Sequence, residues 1–308
     1  METYYSHGKL LITGEYLVLK GALALAQPLR FGQYMDVKKT TEPILLWKSL
    51  DVAGNVWADM TFSLPDLKIL SSVFANRKDS EKNIAETLQQ ILIEARLLKP
   101  GFLENEPGCS IETRLSFSAD WGLGSSSTLI NNIARWAQVD AFALSGRTLG
   151  GSGYDIACAN SDQPITYQFI EGTPQIKKVH FDPCFKENLY FIYLNKKQNS
   201  REGIEKFRVS KFDDKSLVEK ISNITKKILS TERLTDFEKL LRDHEEIIAG
   251  ILSTEPVQKR LFPDYFGQIK SLGAWGGDFI LATGNEHTPA YFKNKGYDTV
   301  FPYSSMIL

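Results

Sequence analysis

Gly122-Leu123-Gly124-Ser125-Ser126-Ser127-Thr128 is the stretch on which the fold reading turns. Ahead of it, Cys109 to Phe117 reads as a strand. Behind it, Ser125 to Leu144 reads as a helix, with Leu129, Ile133 and Trp136 at helical spacing. Two glycines between a strand and a helix let the backbone approach a ligand closely, and the helix start offers N–H donors and a positive dipole end. Three serines add hydroxyls suited to phosphate oxygens or Mg²⁺. No Lys follows the second glycine, so this is not a Walker A loop. A glycine turn followed by a serine N-cap would look the same, and on this stretch alone both readings stand.

On the N-terminal side, strands joined by glycine turns dominate. Lys9 to Thr13 and Glu15 to Leu19 flank Gly14, and Phe31 to Lys39 alternates apolar with polar residues. Ile44 to Leu50 and Val56 to Phe62 form a hairpin around Ala53-Gly54-Asn55, and Ser80 to Leu98 is an amphipathic helix stopped by Pro100-Gly101. On the C-terminal side a short helix, Asp155 to Ala159, precedes strands over Ile165 to Phe181, broken at Glu171 to Pro174. Asn188 to Leu194 is then an apolar strand, followed by charged helices at Arg201 to Phe207, Ser216 to Leu229 and Thr235 to Leu252. Strands at Phe279 to Thr283 and Val300-Phe301 complete an α+β pattern without repeats or low-complexity tracts. Its character changes near residues 180–190.

Composition narrows the function classes. The 308 residues carry 36 Lys+Arg against 37 Asp+Glu, a formal charge of −1, which argues against a general grip on nucleic acid or an anionic membrane. Hydrophobic residues are 43% and charged residues 24%, the balance of a globular chain. The three cysteines, Cys109, Cys158 and Cys184, show neither zinc spacing nor a disulfide framework, so a reducing, cytoplasmic setting is expected. The start has no basic segment ahead of an apolar one, and Gly21 to Leu29 is far short of the ~20 residues a membrane span needs.

Three further segments carry chemistry-bearing residues. Gly151-Ser152-Gly153-Tyr154-Asp155-Ile156-Ala157 places a carboxylate at a helix start, where it serves a ligand or acts as an ordinary N-cap. Gly8-Lys9-Leu10-Leu11-Ile12-Thr13-Gly14-Glu15-Tyr16 places Lys9 at a strand mouth, where it meets a ligand or snorkels to water. Ser271-Leu272-Gly273-Ala274-Trp275-Gly276-Gly277-Asp278-Phe279 is a glycine-rich turn into a strand, a connector or a phosphate contact.

In their order along one chain, these four segments resemble the GHMP kinases, the family named for galactokinase, homoserine kinase, mevalonate kinase and phosphomevalonate kinase. Gly8–Tyr16 resembles its first motif, Gly122–Thr128 its phosphate loop and Gly273–Asp278 its C-terminal glycine motif. The Gly-Tyr-Asp-Ile-Ala run at Gly153–Ala157 resembles the GYDIA-type subgroup, and the likeness spans residues 8 to about 283.

The resemblance implies two α+β domains with the active site in the interdomain cleft: a nucleotide-binding domain over residues 1–180 and a C-terminal domain over 181–308. It implies ATP phosphates along Gly122, Leu123, Gly124, Ser125, Ser126 and Ser127, with Mg²⁺ on Ser126. Asp155 would activate the acceptor hydroxyl and Lys9 would stabilise developing charge. A carboxylate ionised at pH 7 suits proton acceptance, and phosphoryl transfer asks chiefly for positioning and cations. Glu15, Lys197, Ser200, Arg201, Gly276 and Gly277 would bind a small anionic acceptor, most simply mevalonate or phosphomevalonate. Arg147 and Arg30 are lesser candidates. The expected partners are small molecules and at most a second copy in a homodimer, with no nucleic acid and no membrane.

The sequence departs from the family in two places. The mevalonate kinase pattern has a Mg²⁺-binding Glu about ten residues before the catalytic Asp; here that region is Leu144-Ser145-Gly146-Arg147-Thr148, and Asp140 is the nearest acid. Trp275 stands where the family has a small residue. These departures favour a non-catalytic nucleotide-binding or sensor homologue as the rival reading; a sugar kinase is a third.

Overall fold

The computed structural model describes residues 1–75, 81–104, 107–198, 203–204, 207 and 214–308. They form two compact units. The first comprises Met1–Gly8, Phe31–Ala119 and Leu123–Asn160; the second comprises Lys9–Arg30, Asp120–Gly122 and Ser161–Leu308.

The first unit is a sheet covered by helices. Strands β1 (Glu2–Thr13) and β2 (Ala24–Lys39) are long and pass from one unit to the other; β3 (Ile44–Leu50), β4 (Val56–Ser63), β5 (Ile69–Phe74) and β6 (Cys109–Leu115) belong to the first. The order is β5-β4-β3-β6-β2. β3 and β4 pair antiparallel, Trp47 opposite Met60, whereas β3 and β6 run parallel, Trp47 opposite Ile111. β2 pairs antiparallel with β6 from Gln33↔Leu115 to Lys39↔Cys109.

Alternation along β3, β4 and β6 puts Leu45, Trp47, Ala58, Met60, Phe62, Cys109 and Ile111 on the buried face. Against it lie α1 (Glu81–Leu98) through Leu88, Ile91 and Leu92, and α2 (Ser125–Ala137) through Ile130, Ile133 and Ala134. Next come α3 (Ala141–Thr148) and α4 (Tyr154–Ala159), which add Leu144 and Ile156 to the same core. Burial of this stripe, rather than helix propensity, holds α2 with its first turn in place.

The second unit holds the antiparallel sheet β10-β11-β9-β12, made of β9 (Leu189–Tyr193), β10 (Ile269–Ser271), β11 (Phe279–Thr283) and β12 (Val300–Pro302). The hairpin β7 (Ile165–Ile170) and β8 (Thr173–Lys178) pairs with the opening residues of β2, Ala24 opposite Tyr167. Helices α5 (Asp214–Leu229), α6 (Leu234–Leu252), α7 (Val257–Leu261), α8 (Thr288–Asn294) and α9 (Tyr303–Met306) complete it. Every residue of β11 is buried, so the glycine turn that precedes it is held at its far end.

The expected α+β architecture is present, with two local corrections. Glu15–Leu19 is not a strand: Gly14 (φ 97) and Tyr16 (φ 60) turn the chain, and Leu17–Lys20 forms a 3₁₀ turn that buries Leu17 and Val18. Ser125–Leu144 is not one helix. Gln138 adopts a left-handed conformation (φ 56) that ends α2, and Asp140 accepts the Ala143 N–H at 2.7 Å to cap α3. No helix among the described residues is long and apolar enough to cross a membrane.

Trp47 is 1% exposed, with its indole N–H donated to the Ser49 hydroxyl at 3.2 Å. Trp47→Ala should cost about 3–5 kcal/mol, read as a fall in the urea unfolding midpoint.

Candidate functional site

The first unit contributes the start of α2. Its N-cap is Gly124, left-handed at φ 93, and no side chain caps the helix. The serine-cap alternative is therefore excluded: Ser125, Ser126 and Ser127 are first-turn residues whose hydroxyls leave the cap position empty. Ser126 is exposed, whereas Ser127 is buried and donates its hydroxyl to Asp155 Oδ2 at 2.7 Å. Thr128 turns inward, giving its hydroxyl to Gln33 Oε1 (2.7 Å) and Ser125 O (2.8 Å). Leu123 is fully buried and presents only backbone.

Asp155 is likewise not an N-cap. Gly153 (φ 86) caps α4, and Asp155 lies in its first turn, its Oδ1 accepting the Ile156 N–H at 3.2 Å. The two specific runs of the sequence, Gly-Leu-Gly-Ser-Ser-Ser and Gly-Tyr-Asp-Ile-Ala, thus meet through the Ser127–Asp155 bond. A half-buried carboxylate beside an uncapped helix start combines N–H donors for an anion with a proton acceptor.

In the second unit three segments converge on Gly122. Lys9 Nζ donates to the Gly122 carbonyl at 3.2 Å. Gly122 has φ 69, and a Cβ there would lie 2.5 Å from the Asp278 carboxyl carbon, so the carboxylate packs on a bare α-carbon. Asp278, itself left-handed at φ 52, is tied to the segment after β9: its N–H donates to Lys196 O (2.7 Å), its carbonyl accepts the Leu194 N–H (2.8 Å), and its Oδ1 accepts the Gln198 N–H (3.0 Å). Burial raises the Asp278 carboxyl above the ordinary range, while the Gln198 N–H, Lys9 and Lys197 pull it back down.

The acceptor candidates divide. Gly276 (φ 90) is half-buried, and Gly277 is pressed so closely on the 196–198 segment that a Cβ would lie 2.5 Å from Lys196 O. Lys197 is exposed, its Nζ 3.7 Å from Asp120 Oδ1. These three candidates are therefore brought together. Ser200 and Arg201 lie outside the described residues. Glu15 is a correction: it is 1% exposed, and its carboxylate is engaged by Lys270 and stands 3.2 Å from His244 Nε2, which makes it interior scaffold and not a ligand-facing group.

The remaining candidates also have structural partners. Asp140 caps α3, Arg147 reaches Glu94 at 3.6 Å, and Arg30 donates to Ser304 O at 3.0 Å. Trp275 is buried and left-handed at φ 56, with its indole N–H unpartnered. Asp278 carries no role in the sequence reading, although a carboxylate closing a Gly-Gly run ahead of an apolar strand is a signal for it.

No group of three or more His, Cys, Asp or Glu side chains suited to a metal occurs among the described residues. A Mg²⁺ ion arriving on phosphate oxygens would need only one or two protein oxygens, and the exposed Ser126 hydroxyl and the Asp155 carboxylate are the oxygens that would hold it at this helix start.

Solved structures were then compared with the chain. The Methanococcus jannaschii mevalonate kinase matches with a TM-score of 0.72 at 15% identity, over 97% of this chain and 96% of that one. The fold is that of the GHMP kinases. The Lactococcus lactis galactokinase complexed with galactose matches at 0.69 and 13% identity (97% and 92% covered), and the Streptococcus pneumoniae phosphomevalonate kinase in complex with phosphomevalonate and AMPPNP at 0.64 and 16% (100% and 98%). No protein-family model matches the sequence, and no curated protein matches it. The fold is therefore shared with these structures at 13–16% identity.

Gly122→Ala should destabilise the protein by more than about 1 kcal/mol, through both φ and the Asp278 contact. Asp278→Gly in the same chain should return part of that loss, a coupling measurable as a double-mutant cycle in urea unfolding.

Proposed function

We propose that this protein is an ATP-dependent small-molecule kinase that transfers the γ-phosphoryl group of ATP to a small anionic acceptor, with mevalonate and phosphomevalonate first in line. The observation that carries the reading is the Ser127–Asp155 hydrogen bond at a helix start that no side chain caps. The GHMP-kinase fold supports the same chemistry, since the matched structures are of a mevalonate kinase, a phosphomevalonate kinase and a galactokinase.

In this reading the first-turn amides of α2 and the Gly122–Gly124 backbone hold the phosphates, and Ser127 fixes the Asp155 carboxylate. For a hydroxyl acceptor, Asp155 takes the proton as the new O–P bond forms and the bond to ADP breaks; a phosphate acceptor is already deprotonated and needs Asp155 less. Lys9 supplies positive charge at the loop's first glycine. Mg²⁺ held by Ser126 and Asp155 would neutralise phosphate charge. Lys196 and Lys197, exposed beside Gly276–Gly277, favour an anionic acceptor over a neutral sugar.

The buried, left-handed Trp275 favours a second reading, a nucleotide-binding protein without turnover. One experiment separates the two: incubation with Mg-ATP and mevalonate, phosphomevalonate, homoserine or galactose, with ADP release followed. The kinase reading expects turnover of one anionic acceptor. It also expects Asp155→Asn and Lys9→Met each to lower kcat by at least about 10²-fold, with nucleotide binding and melting temperature retained in Asp155→Asn. ATP binding without turnover of any acceptor would instead establish the second reading.

A further inference from the structure

Tyr16 holds a backbone conformation that a tyrosine does not adopt without cause. At φ 60 and ψ −49 it is the central residue of a tight γ-turn, closed by the Leu17 N–H on Glu15 O at 2.6 Å. That geometry is rare and strained for a residue with a Cβ, and it persists only where the surroundings enforce it. Here they do. The Gly14 N–H is bonded to His244 Nε2 at 3.0 Å, the Glu15 carboxylate to Lys270, and Leu17 and Val18 are fully buried. A glycine at residue 16 would relieve the strain, so the reason for a tyrosine lies in its side chain.

That side chain is buried among Ala274, Phe207 and Gly203, all of the second unit. Its hydroxyl donates to Ala274 O at 2.6 Å. Its ring lies against Phe207, with centroids 5.5 Å and planes 31° apart. A Cβ at Gly203 would stand 2.4 Å from the Tyr16 hydroxyl oxygen and 3.3 Å from two ring carbons. No left-handed backbone asks for glycine at 203, so the space is left for the hydroxyl.

Ala274 lies at the leading end of the turn that presents Gly276 and Gly277. At the trailing end Asp278 is bonded to the backbone of Leu194, Lys196 and Gln198. Between the two ends stand acceptor candidates: Gly276, and Gly277 pressed against Lys196 O, with Lys197 next in the chain.

We propose that Tyr16 is a positioning residue for the acceptor: its hydroxyl sets where the leading end of the Gly273–Asp278 turn stands, and with it the spacing of Gly276–Gly277 from Lys196–Lys197, where a small anion is seated. The identity of the acceptor rests on the kinase reading; the coupling rests on the Tyr16 contacts alone. A glycine pair and two ammonium groups hold a compact anion only while the turn keeps still, since a turn released at one end spreads the distances over many values. Tyr16 therefore acts on acceptor affinity and not on the chemical step.

The test compares Tyr16→Phe, which keeps the ring on Phe207 and removes the bond to Ala274, with Gly203→Ala, which keeps the hydroxyl and displaces it. Calorimetric titration with mevalonate and with phosphomevalonate should show about 5- to 10-fold weaker binding in each variant, with Mg-ATP affinity within about 2-fold of wild type. The double variant should bind no more weakly than either single one, because without the hydroxyl the added methyl has only the ring to meet. Trp275 follows Ala274, so its indole ¹H–¹⁵N resonance, identified by its loss in Trp275→Phe, should move in both variants while those of Trp47, Trp57 and Trp136 stay. Unchanged acceptor affinity in Tyr16→Phe, an equal loss for Mg-ATP, or a Trp275 resonance that does not move would overturn the proposal, and turnover by the wild type would still uphold the kinase reading. Acceptor binding that weakens in Tyr16→Phe without any turnover in the wild type would do the reverse. If neither anion binds the wild type, both fall.

Discussion

The absence of a side chain at residue 122 allows Lys9, Gly122 and Asp278 of the second unit to meet. The Asp278 carboxylate occupies the volume a Cβ would fill, and Lys9 reaches the carbonyl of the same residue. One bare α-carbon therefore fixes where Lys9 and the 273–278 turn stand with respect to residue 122. The left-handed conformation at Gly122 is the lesser requirement, because asparagine or aspartate tolerates it; the close approach admits only glycine. Asp278 then carries the constraint onward through its three bonds to Leu194, Lys196 and Gln198. A loop read in isolation as a connector is in this way tied at its far end by hydrogen bonds to the 194–198 segment.

Beneath that layer the second unit accepts a cost that an apolar core would avoid. Glu15, His244, Lys270 and Glu245 are buried where their desolvation is opposed by one another and by hydrogen bonds to Gly14, Val257 and Ser271. What the arrangement supplies is position. Gly14, Glu15 and Tyr16 lie where the chain leaves β1 and turns, and each is anchored by a different element: His244 of α6, Lys270 of β10 and the carbonyl of Ala274. Apolar contacts would hold the turn equally well in energy, but hydrogen bonds fix its orientation more sharply.

Legibility in the sequence followed the range of the interaction. The β3–β4 hairpin, α1 and β9 could be read because period-two and period-3.6 patterns arise within one element. β5 escaped because Leu70 and Val73 are exposed and break the alternation, and β10 because three residues carry no period. The α2–α3 break hinged on Gln138 at φ 56, a residue type that does not advertise a left-handed stop. The same division runs through the site. Glycines and serines in Gly122–Ser127 announce backbone approach to something, but not that the something is Asp278. His244 sits in the charged run Arg242-Asp243-His244-Glu245-Glu246 and reads as a solvated face; only the fold turns it toward Gly14. Glu15 failed as a ligand contact for the same reason, since its partner Lys270 lies almost the whole chain away.

A formal charge of −1 is no obstacle to a site for highly anionic ligands, because the cations that matter here are already matched one by one. Lys197 stands 3.7 Å from Asp120, and both Lys9 and Lys197 draw down the carboxyl of the buried Asp278. Isolated cations in a partly buried turn would repel one another and loosen the fold; compensated ones do not. In the proposed reading an arriving phosphate would compete with Asp278 and Asp120 for the same ammonium groups. Burial, which already pushes Asp278 toward its neutral form, lowers the cost of that exchange, since a carboxyl that takes up a proton stops repelling the anion beside it. Carboxylates in such a turn are therefore no argument against anion binding.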